Sequence, residues 1–402
     1  MLKGRDIVII GLQPWYYEIG SNCKNIASHL ALHNRVLYVN LPINRRTFFS
    51  KEWHTPGIAE HIRIIKENDQ KIKPVSKNLW QFYPSCIIES INWLPSTKAF
   101  KAANYFNNKR YAKEIREAIS GLNFKDVILF NDNDIFNGYY LKKLLKPSLY
   151  VYYCRDYLRG NPYWSKHCDV LEPELIRIAD LAVANSLYLS EYCAKFNKDS
   201  YYIGQGCDLE LFDHSKEHSL PEEMKPISSP VIGYVGAVIS NRLDEKIIKT
   251  IAEYNSKWNV VLVGPEDETF RNSSLHKLSN VSFTGRKPFE ELPDFVQSFD
   301  VCINPQLINL LTVGNYPLKV DEYLSMGKPV VATRTKAMEL FEEYVYLANE
   351  PKEYPVLIEK ALKENSDLLK EKRIAFAKTH TWENSIEELC KYIMQKENQL
   401  CL

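Results

Sequence analysis

The sequence predicts an α/β protein made of two Rossmann-like, doubly wound domains. Both halves of the chain alternate short buried strand patterns with amphipathic helical patterns, as in parallel sheets covered by helices. A length of 402 residues is more than a single ordinary hydrophobic core requires. Between the halves, residues 213–230 are rich in charge, serine and proline, as interdomain linkers are. We therefore place the first domain at 1–212 and the second at 231–381.

The composition indicates a globular protein and limits its partners. Hydrophobic residues make up 45% of the chain, enough for large cores, and the formal net charge of +1 argues against nucleic-acid binding. The nine cysteines have irregular spacing and no Cys-x-x-Cys pair, which argues against a disulfide framework or a structural zinc site and favours a reducing cytoplasm. No stretch approaches the ~20 apolar residues of a membrane span, and we expect no signal peptide.

The chain opens with the pattern of a Rossmann unit. Residues 6–11 predict a buried strand, 22–33 an amphipathic helix and 36–39 the next strand. Periodicity is poor in the region that follows. There we predict one or two short strands, near 62–66 and 79–83.

The loop at 12–21 follows the first strand, where ligands of open α/β sheets bind. It lacks the Gly-x-Gly-x-x-Gly pattern, so we expect no dinucleotide. Its candidate ligand-contacting residues are Trp15, Gly20 and Ser21, and its aromatic side chains offer faces to a sugar ring. Packing of the aromatic residues beneath the loop is the alternative.

Residues 97–119 predict a helix or helix pair with a basic surface. Six lysines and arginines against two glutamates give this segment a local net charge of +4. Its apolar side consists of Phe100, Tyr105, Phe106, Tyr111 and Ile115. One hypothesis is peripheral contact with an anionic membrane, and the alternative is a solvated helix packed on its own core.

Further strands continue the first domain. They are predicted at 127–130, 149–153, 181–184 and 201–203. The sequence Asn131–Asp134 contains an Asp-x-Asp pattern, which binds metal ions in enzymes that lack a second Rossmann unit. Asx residues after a strand commonly cap the next helix, so we interpret this pattern as capping and expect no metal site.

The second domain begins with a strand at 231–235 and a loop that starts at Gly236. Asp244 is the predicted N-cap of a helix at 245–257, and Arg242 precedes that helix N-terminus. Further strands are predicted at 260–264 and 281–285, and a loop with Arg286 follows the latter.

A strand–loop–helix–strand unit at 300–332 carries the strongest site prediction. Pro317 opens its helix and Gly327 closes it. Free N–H groups at the helix N-terminus favour an anion such as phosphate, and Lys319 lies beside them. Glu322 lies on the same face, where a carboxylate accepts hydrogen bonds from a ribose diol. The alternative is a surface ion pair between Lys319 and Glu322, worth a few tenths of a kcal/mol.

The sequence of this unit resembles the donor-site helix of GT-B glycosyltransferases of family GT4. The resemblance rests on Pro-Leu-Lys-x-x-Glu-Tyr-Leu-x-x-Gly-Lys-Pro-Val-Val-Ala-Thr at 317–333. Residues 180–186, 203–212 and 280–292 are also similar to segments of that family. The resemblance implies the GT-B fold, with two Rossmann-like domains facing across a cleft and the last helix, 382–402, returned to the first domain.

The family's residues carry over onto matching positions. The resemblance implies that Glu322 binds the donor ribose and that Lys319 and Arg242 face the diphosphate. It also implies that the backbone near Gly285 and Arg286 borders the base. Gly236 starts the loop of this donor site, and the loop with Trp15, Gly20 and Ser21 is assigned to the acceptor side.

Two positions differ from the family or leave a choice. Gly314 stands where many members carry a glutamate that contacts the transferred sugar. Asp156 in Tyr-Cys-Arg-Asp-Tyr lies near the position of a family histidine that faces the donor sugar, and Arg155 is the competing candidate. The alternative for Asp156 is a capping or salt-bridging role.

The resemblance implies a cytoplasmic, hexosyltransferase-like enzyme of cell-surface polysaccharide or glycan biosynthesis. It would move a sugar from a nucleotide diphosphate to a hydroxyl of a glycan or lipid-linked acceptor, without metal or cofactor and with retention of configuration. Two alternatives remain. One is an inactive sugar-nucleotide-binding regulatory subunit, which Gly314 suggests, and the other is a UDP-sugar 2-epimerase, for which the nine scattered histidines give no cluster.

Overall fold

The computed structural model of the chain describes residues 2–17, 20–50 and 56–400. It divides into two compact units, Met1–Gly204 with Ser385–Leu402, and Gln205–Asn384. The first contains a sheet of eight strands and the second a sheet of six. These two sheets confirm the predicted pair of Rossmann-like α/β domains.

The first unit has an almost wholly parallel sheet. Its strands are β1 (Asp6–Gly11), β2 (Arg35–Val39), β3 (Ile72–Ser76), β4 (Leu79–Phe82), β5 (Ile128–Asp132), β6 (Leu149–Cys154), β7 (Leu181–Ala184) and β8 (Ser200–Tyr202). Its helices are α1 (Asn22–Ala31), α2 (Arg45–Phe49), α3 (Pro56–Glu67), α4 (Thr97–Gly121), α5 (Leu141–Leu145), α6 (Pro162–Ile178) and α7 (Leu187–Ala194). The strand order is β3-β4-β2-β1-β5-β6-β7-β8, and only β3 pairs antiparallel with its neighbour.

One strand prediction is wrong. Residues 62–66 lie within α3, not in a strand. Ile62 and Ile64 alternate as they would in a strand, but Ile58, Ile62 and Ile65 recur at helical spacing, and a run this short satisfies both patterns. The strand predicted at 79–83 is present as β4, and residues 97–119 form one continuous helix, α4.

The second unit has a fully parallel six-stranded sheet. Its strands are β9 (Val231–Val235), β10 (Asn259–Val263), β11 (Val281–Gly285), β12 (Val301–Asn304), β13 (Val330–Thr333) and β14 (Tyr346–Ala348). Its helices are α8 (Glu245–Tyr254), α9 (Glu268–Arg271), α10 (Leu292–Gln297), α11 (Leu318–Ser325), α12 (Glu353–Glu364) and α13 (Asp367–Ala377). The order is β11-β10-β9-β12-β13-β14, so the loops after β9, β10, β11 and β12 share one edge.

The segment before β9 is packed on the second unit. Phe212 and Met224 are buried in the core of that unit, and Ile227 packs against it. Residues 205–212, which the sequence analysis assigned to the first domain, fall in the second unit. Although the composition of 213–230 is polar overall, Met224 and Ile227 within it pack on the core of the second unit.

The last helix, α14 (Trp382–Leu400), belongs to the first unit from Ser385 onward. Tyr392 stacks on Tyr201 with ring centroids 4.0 Å apart. Lys396 Nζ lies 2.6 Å from a carboxylate oxygen of Asp199, and both side chains are largely buried. These contacts fix α14 beside β8.

Candidate functional site

Helix α11 is short because both of its ends are defined locally. Pro317 precedes its first residue, with a φ of −88°. Gly327 has a φ of +71°, which favours glycine after a helix. The N–H of Gly327 donates to the carbonyl of Leu324 at 2.9 Å and that of Lys328 to Tyr323 at 3.0 Å, the Schellman pattern. The helix therefore ends where the sequence predicted, and its N-terminus lies at the sheet edge that carries the loops.

Lys319 approaches the end of β9 because a glycine leaves room for it. Its Nζ lies over the ring of Tyr234, 5.1 Å from the centroid. A Cβ on Gly236 would lie 2.8 Å from the Tyr234 hydroxyl and 3.1 Å from Cε of Lys319, and Gly236 has a φ of +142°. The loop after β9 and the first turn of α11 thus meet at Gly236.

Gly264 makes a second close approach at the same edge, and sequence reasoning did not select it. A Cβ on Gly264 would lie 1.9 Å from the carbonyl oxygen of Gly236, and the φ of Gly264 is +150°. A glycine directly after each of two neighbouring strands, β9 and β10, was the signal available in the sequence.

Glu322 is nearly buried, with 8% of its surface exposed. Burial raises its pKa to about 7; the positive charge of Lys319 opposes this shift, and the charges of Asp321 and Asp208 add to it. Because Glu322 is nearly buried and Lys319 lies over the ring of Tyr234, a surface ion pair between the two does not describe this site. Glu322 is a desolvated carboxyl group poised to change charge near neutral pH.

The loop between Gly236 and α8 is held on both sides. The N–H of Leu307 donates to the carbonyl of Arg242 at 2.8 Å, and both the N–H and the hydroxyl of Ser240 donate to Asp267 at 2.7 Å. Asp244 caps α8 as predicted, accepting from the N–H of Lys246 at 2.9 Å. The loop is therefore fixed between the loops that follow β10 and β12.

Arg242 is exposed at this edge and contacts Asn315, a residue that the sequence analysis did not select. With the Asn315 amide oriented for both of its partners, its oxygen accepts from Nη1 of Arg242 at 3.1 Å and its nitrogen donates to Leu311 at 3.2 Å. Asn315 lies two residues before Pro317, so Arg242 is brought to the approach of α11. No pattern in the sequence marked this contact between residues far apart in the chain.

The remaining predicted donor residues lie at the end of β11. Gly285 has a φ of +70°, and the space where its Cβ would stand is open. Arg286 follows it and is exposed. Gly314 is buried in the loop before α11. The structure thus brings Gly236 and Lys319 together near Glu322 and brings Arg242 to Asn315, shortly before α11. Gly285 and Arg286 lie along the same edge, beyond β10.

Arg155 and Asp156 form an ionic cluster in the first unit, at the ends of β5 and β6. Nε of Arg155 lies 2.7 Å from the fully buried carboxylate of Asp132, and Nη1 lies 3.0 Å from Asp156. Burial raises the pKa of Asp132, while Arg155 opposes the shift. The side chain of Asp156 is 37% exposed and that of Arg155 only 15%. Asp156 is the more accessible of the two candidates.

Asn133 holds this cluster through hydrogen bonds to its backbone N–H groups. Its Oδ1 accepts from the N–H groups of Arg155 and Asp156, at 3.0 and 2.9 Å. Its Nδ2 donates to Tyr152 and to the buried carboxylate of Glu172, at 3.0 and 3.3 Å. The φ of Asn133 is +55°, a conformation that asparagine tolerates better than most residues. The turn after β5 therefore positions the residues after β6.

The Asp-x-Asp pattern does not form a metal cluster in the described residues. Asp134 accepts from the N–H groups of Phe136 and Asn137 at 3.1 and 2.9 Å, which stabilises a turn and not a helix N-terminus. The next helix, α5, follows Tyr140 and has no side-chain cap, so the predicted helix capping is wrong. Asp132 does not cap a helix; it pairs with Arg155 and accepts from the N–H of Leu12 at 3.2 Å.

The predicted acceptor-side loop follows β1, and residues 18 and 19 of it lie outside the described residues. The N–H of Trp15 donates to Asn40 at 2.6 Å, and the Trp15 ring packs edge-on against Tyr38 with centroids 5.1 Å apart. Ser21 caps α1 by accepting from the N–H of Lys24 at 3.3 Å. Gly20 is exposed. Trp15 thus packs in part beneath the loop, and Gly20 is the open position.

Helix α4 buries most of its apolar side. Phe100, Tyr111 and Ile115 are buried, whereas Phe106 is 64% exposed. Of its basic residues, Lys101 pairs with Glu174 and Lys113 with Glu117, while Lys98 and Lys109 are exposed. No helix in the described part of the chain is long and apolar enough to cross a membrane.

The second unit matches a known protein family. Residues 229–364 match the family model described as glycosyl transferases group 1. That range includes β9 to β14, Arg242, Lys319 and Glu322.

One curated relative covers part of the chain. It is the Bacillus subtilis (strain 168) protein TuaH, which is named as a glycosyltransferase of teichuronic acid biosynthesis. It is 30% identical over 234 residues, which are 55% of this chain and 58% of the relative. The match therefore spans little more than half of that relative.

Solved structures resemble the whole chain in fold. Anabaena Alr3699/HepE, in complex with UDP, superposes with a TM-score of 0.66 at 13% identity, covering 98% of this chain and 100% of its own. A sucrose-phosphate synthase from Thermosynechococcus elongatus gives 0.66 at 14% identity, covering 97% and 98%. A trehalose 6-phosphate synthase from Burkholderia multivorans gives 0.67 at 10% identity, covering 99% of both chains. At these identities the likeness establishes the fold, which is GT-B.

Proposed function

We propose, from the premise that the second unit carries a glycosyl transferases group 1 domain, that this protein is a glycosyltransferase. It moves a sugar from a nucleoside-diphosphate donor to a hydroxyl of a glycan or lipid-linked acceptor in cell-surface polysaccharide biosynthesis. The observation that carries the proposal is the nearly buried Glu322 on the same short helix as Lys319, within the range that matches the family. TuaH is named for the same kind of pathway.

Three candidate residues of the second unit have separate roles in binding the donor. The ionised carboxylate of Glu322 accepts hydrogen bonds from the ribose hydroxyls. Lys319 and the N-terminus of α11 face the diphosphate, and Arg242 lies close by at Asn315. As the bond from the sugar to the diphosphate breaks, negative charge grows on the leaving oxygen, and these cationic groups stabilise it. In this proposal the transfer uses no metal ion and no cofactor besides the nucleotide sugar.

The first unit supplies the candidate catalytic side chain. Asp156, oriented by Arg155 and Asn133, faces the transferred sugar, and the reaction retains the configuration at the anomeric carbon. Asp156→Asn keeps the shape of the side chain and removes its charge. We expect a fall in turnover at saturating donor and acceptor; unchanged turnover would remove Asp156 from the mechanism.

The acceptor lies on the side of the loop with Trp15, Gly20 and Ser21, and the protein works at the cytoplasmic face of the membrane. Exposed Phe106, Lys98 and Lys109 on α4 make the peripheral contact with anionic lipid. Sedimentation with anionic liposomes tests this contact. Phe106→Ser with Lys109→Glu is expected to reduce binding, whereas Lys363→Glu on α12 is not, and salt-insensitive or absent binding of the wild type contradicts the contact.

The test of the proposed function is a donor panel followed by turnover. UDP, GDP, ADP and their glucose esters are compared by thermal shift, with UDP first because Anabaena HepE is described in complex with UDP and with UDP-glucose. A ligand at a hundred times its dissociation constant adds about 2.7 kcal/mol to stability. Sugar transfer to an acceptor by the purified protein supports the proposal.

The second candidate, an inactive sugar-nucleotide-binding subunit, is favoured by Gly314. It predicts donor binding without turnover, with or without acceptor. A 2-epimerase would instead release an epimerised sugar.

A further inference from the structure

A fully buried carboxylate lies next to Glu322 in the first turn of α11. Asp321 has no exposed surface. Its Oδ2 accepts from the hydroxyl of Tyr316 at 2.5 Å, and its Oδ1 lies 2.6 Å from Nδ1 of His380. Nothing in the proposed donor contacts uses this group. Burial raises the pKa of Asp321, and the contacts with His380 and Tyr316 oppose that shift by stabilising the carboxylate. A buried carboxylate with two partners is costly to build and specific in geometry.

His380 is itself fixed from several sides. Its ring packs edge-on against Phe376 and Phe341, with centroids 4.6 and 5.7 Å apart. Its carbonyl accepts from the N–H of Cys207 at 2.9 Å. Asp321 therefore ties the first turn of α11 to the segments around 207 and 380, near the two ends of the second unit.

Charges on α11 and on the segment around 208 act on Glu322. The charged groups facing it are Lys319 and Asp321 on α11 and Asp208 on the segment that begins the unit. The uncharged Cys207 and Tyr323 also lie beside it. Because the site is poorly solvated, the charge of a neighbouring carboxylate is weakly screened.

We propose that Asp321, held by Tyr316 and His380, is a positioning residue of the donor site. It fixes the first turn of α11, and its charge adds to the effect of burial on the pH above which Glu322 accepts hydrogen bonds from the donor. This inference rests on the proposed function and adds to it a group that does not touch the donor.

The deciding variant is Asp321→Asn, which keeps the shape and removes the charge. Calorimetric titration with UDP from about pH 5.5 to about pH 8.5 is expected to show affinity that rises with pH in the wild type. In the variant the midpoint of that rise falls by about one pH unit, since a repelling charge near Glu322 is gone. A purely structural role would lower affinity at every pH and leave the midpoint in place.

His218→Asn is the matched control, because His218 also pairs through Nδ1 with a carboxylate, Asp294, at 3.0 Å in the same unit. It is expected to keep the wild-type midpoint. Tyr316→Phe removes one hydrogen bond to Asp321 and is expected to shift the midpoint in the same direction by less; it decides the matter if Asp321→Asn does not fold. Binding of UDP with an unmoved midpoint overturns this inference alone. A wild type that binds none of UDP, GDP and ADP overturns the proposed function as well.

Discussion

At Glu322, burial converts an ordinary surface residue type into a group that titrates near neutral pH. Its pKa of about 7 is above the ordinary value of 4.5, so the folded protein holds the proton more tightly than the unfolded chain. Ionising Glu322 in the folded state therefore costs stability. That cost is absent below about pH 4.5, grows as the pH rises towards 7 and is constant above it.

Glu322→Gln removes this cost and tests the burial directly. We expect the variant to gain about 1–3 kcal/mol of stability over the wild type above pH 7, and none at low pH. Denaturant unfolding at several pH values measures the difference. A difference that does not change with pH would contradict the shifted pKa.

Substitutions of Lys319 and of Glu322 are expected to change different kinetic parameters. Lys319→Ala removes a charge that meets the leaving diphosphate as its negative charge grows, so kcat falls together with kcat/KM. Glu322→Gln removes a contact to the non-reacting ribose, so the donor KM rises most. Steady-state kinetics with varied donor separates the two effects. Lys246→Ala, at the matching position in the first turn of α8, serves as the control and should change neither parameter.

At the scale of elements, two glycines set how closely the loops after β9 and β10 approach. Gly264→Ala places a Cβ within 1.9 Å of a backbone oxygen and forces a φ that side chains rarely adopt. We expect a loss of about 3 kcal/mol of stability or more, with donor binding impaired. Gly121→Ala at the end of α4, where the space is open, should be neutral or stabilising. Equal stability of the two variants would refute the close approach.

The turn after β5 is expected to control the candidate catalytic residue after β6. Asn133→Ala leaves the N–H groups of Arg155 and Asp156 without their acceptor, at about 1–3 kcal/mol each when they stay dry. We predict lower stability and lower kcat, with donor affinity in the second unit unchanged. Asn161→Ala, which removes an exposed helix cap of α6, should cost about 1 kcal/mol and leave kcat intact. Wild-type kcat in Asn133→Ala would contradict the positioning role.

At the scale of the whole molecule, the fold could be predicted from the sequence because it repeats one local pattern. Buried strands and amphipathic helices alternate in both units, and each strand such as β1 or β9 carries its own apolar signal. The pattern failed where it was too short, at 62–66, and where a few apolar residues such as Phe212 and Met224 anchor a polar segment.

The candidate site could be predicted from the sequence only where its residues lie close together along the chain. Lys319, Glu322 and the end of α11 at Gly327 follow from adjacent residues. The contact of Arg242 with Asn315 and that of Asp321 with His380 join residues far apart in sequence. No periodic pattern in the sequence predicts such contacts between side chains. The charge of Asp208, which adds to the raised pKa of Glu322, comes from a distant part of the sequence that only the folded chain brings near.

The most direct test of the central claim is a calorimetric titration of UDP and GDP into the wild type, Lys319→Ala, Glu322→Gln and Lys246→Ala. We predict that one nucleotide binds the wild type and Lys246→Ala equally well. The other two variants should lose about 1.5–3 kcal/mol, or roughly ten- to a hundredfold in affinity. Wild-type affinity in both Lys319→Ala and Glu322→Gln would contradict the assignment of α11 as the donor site.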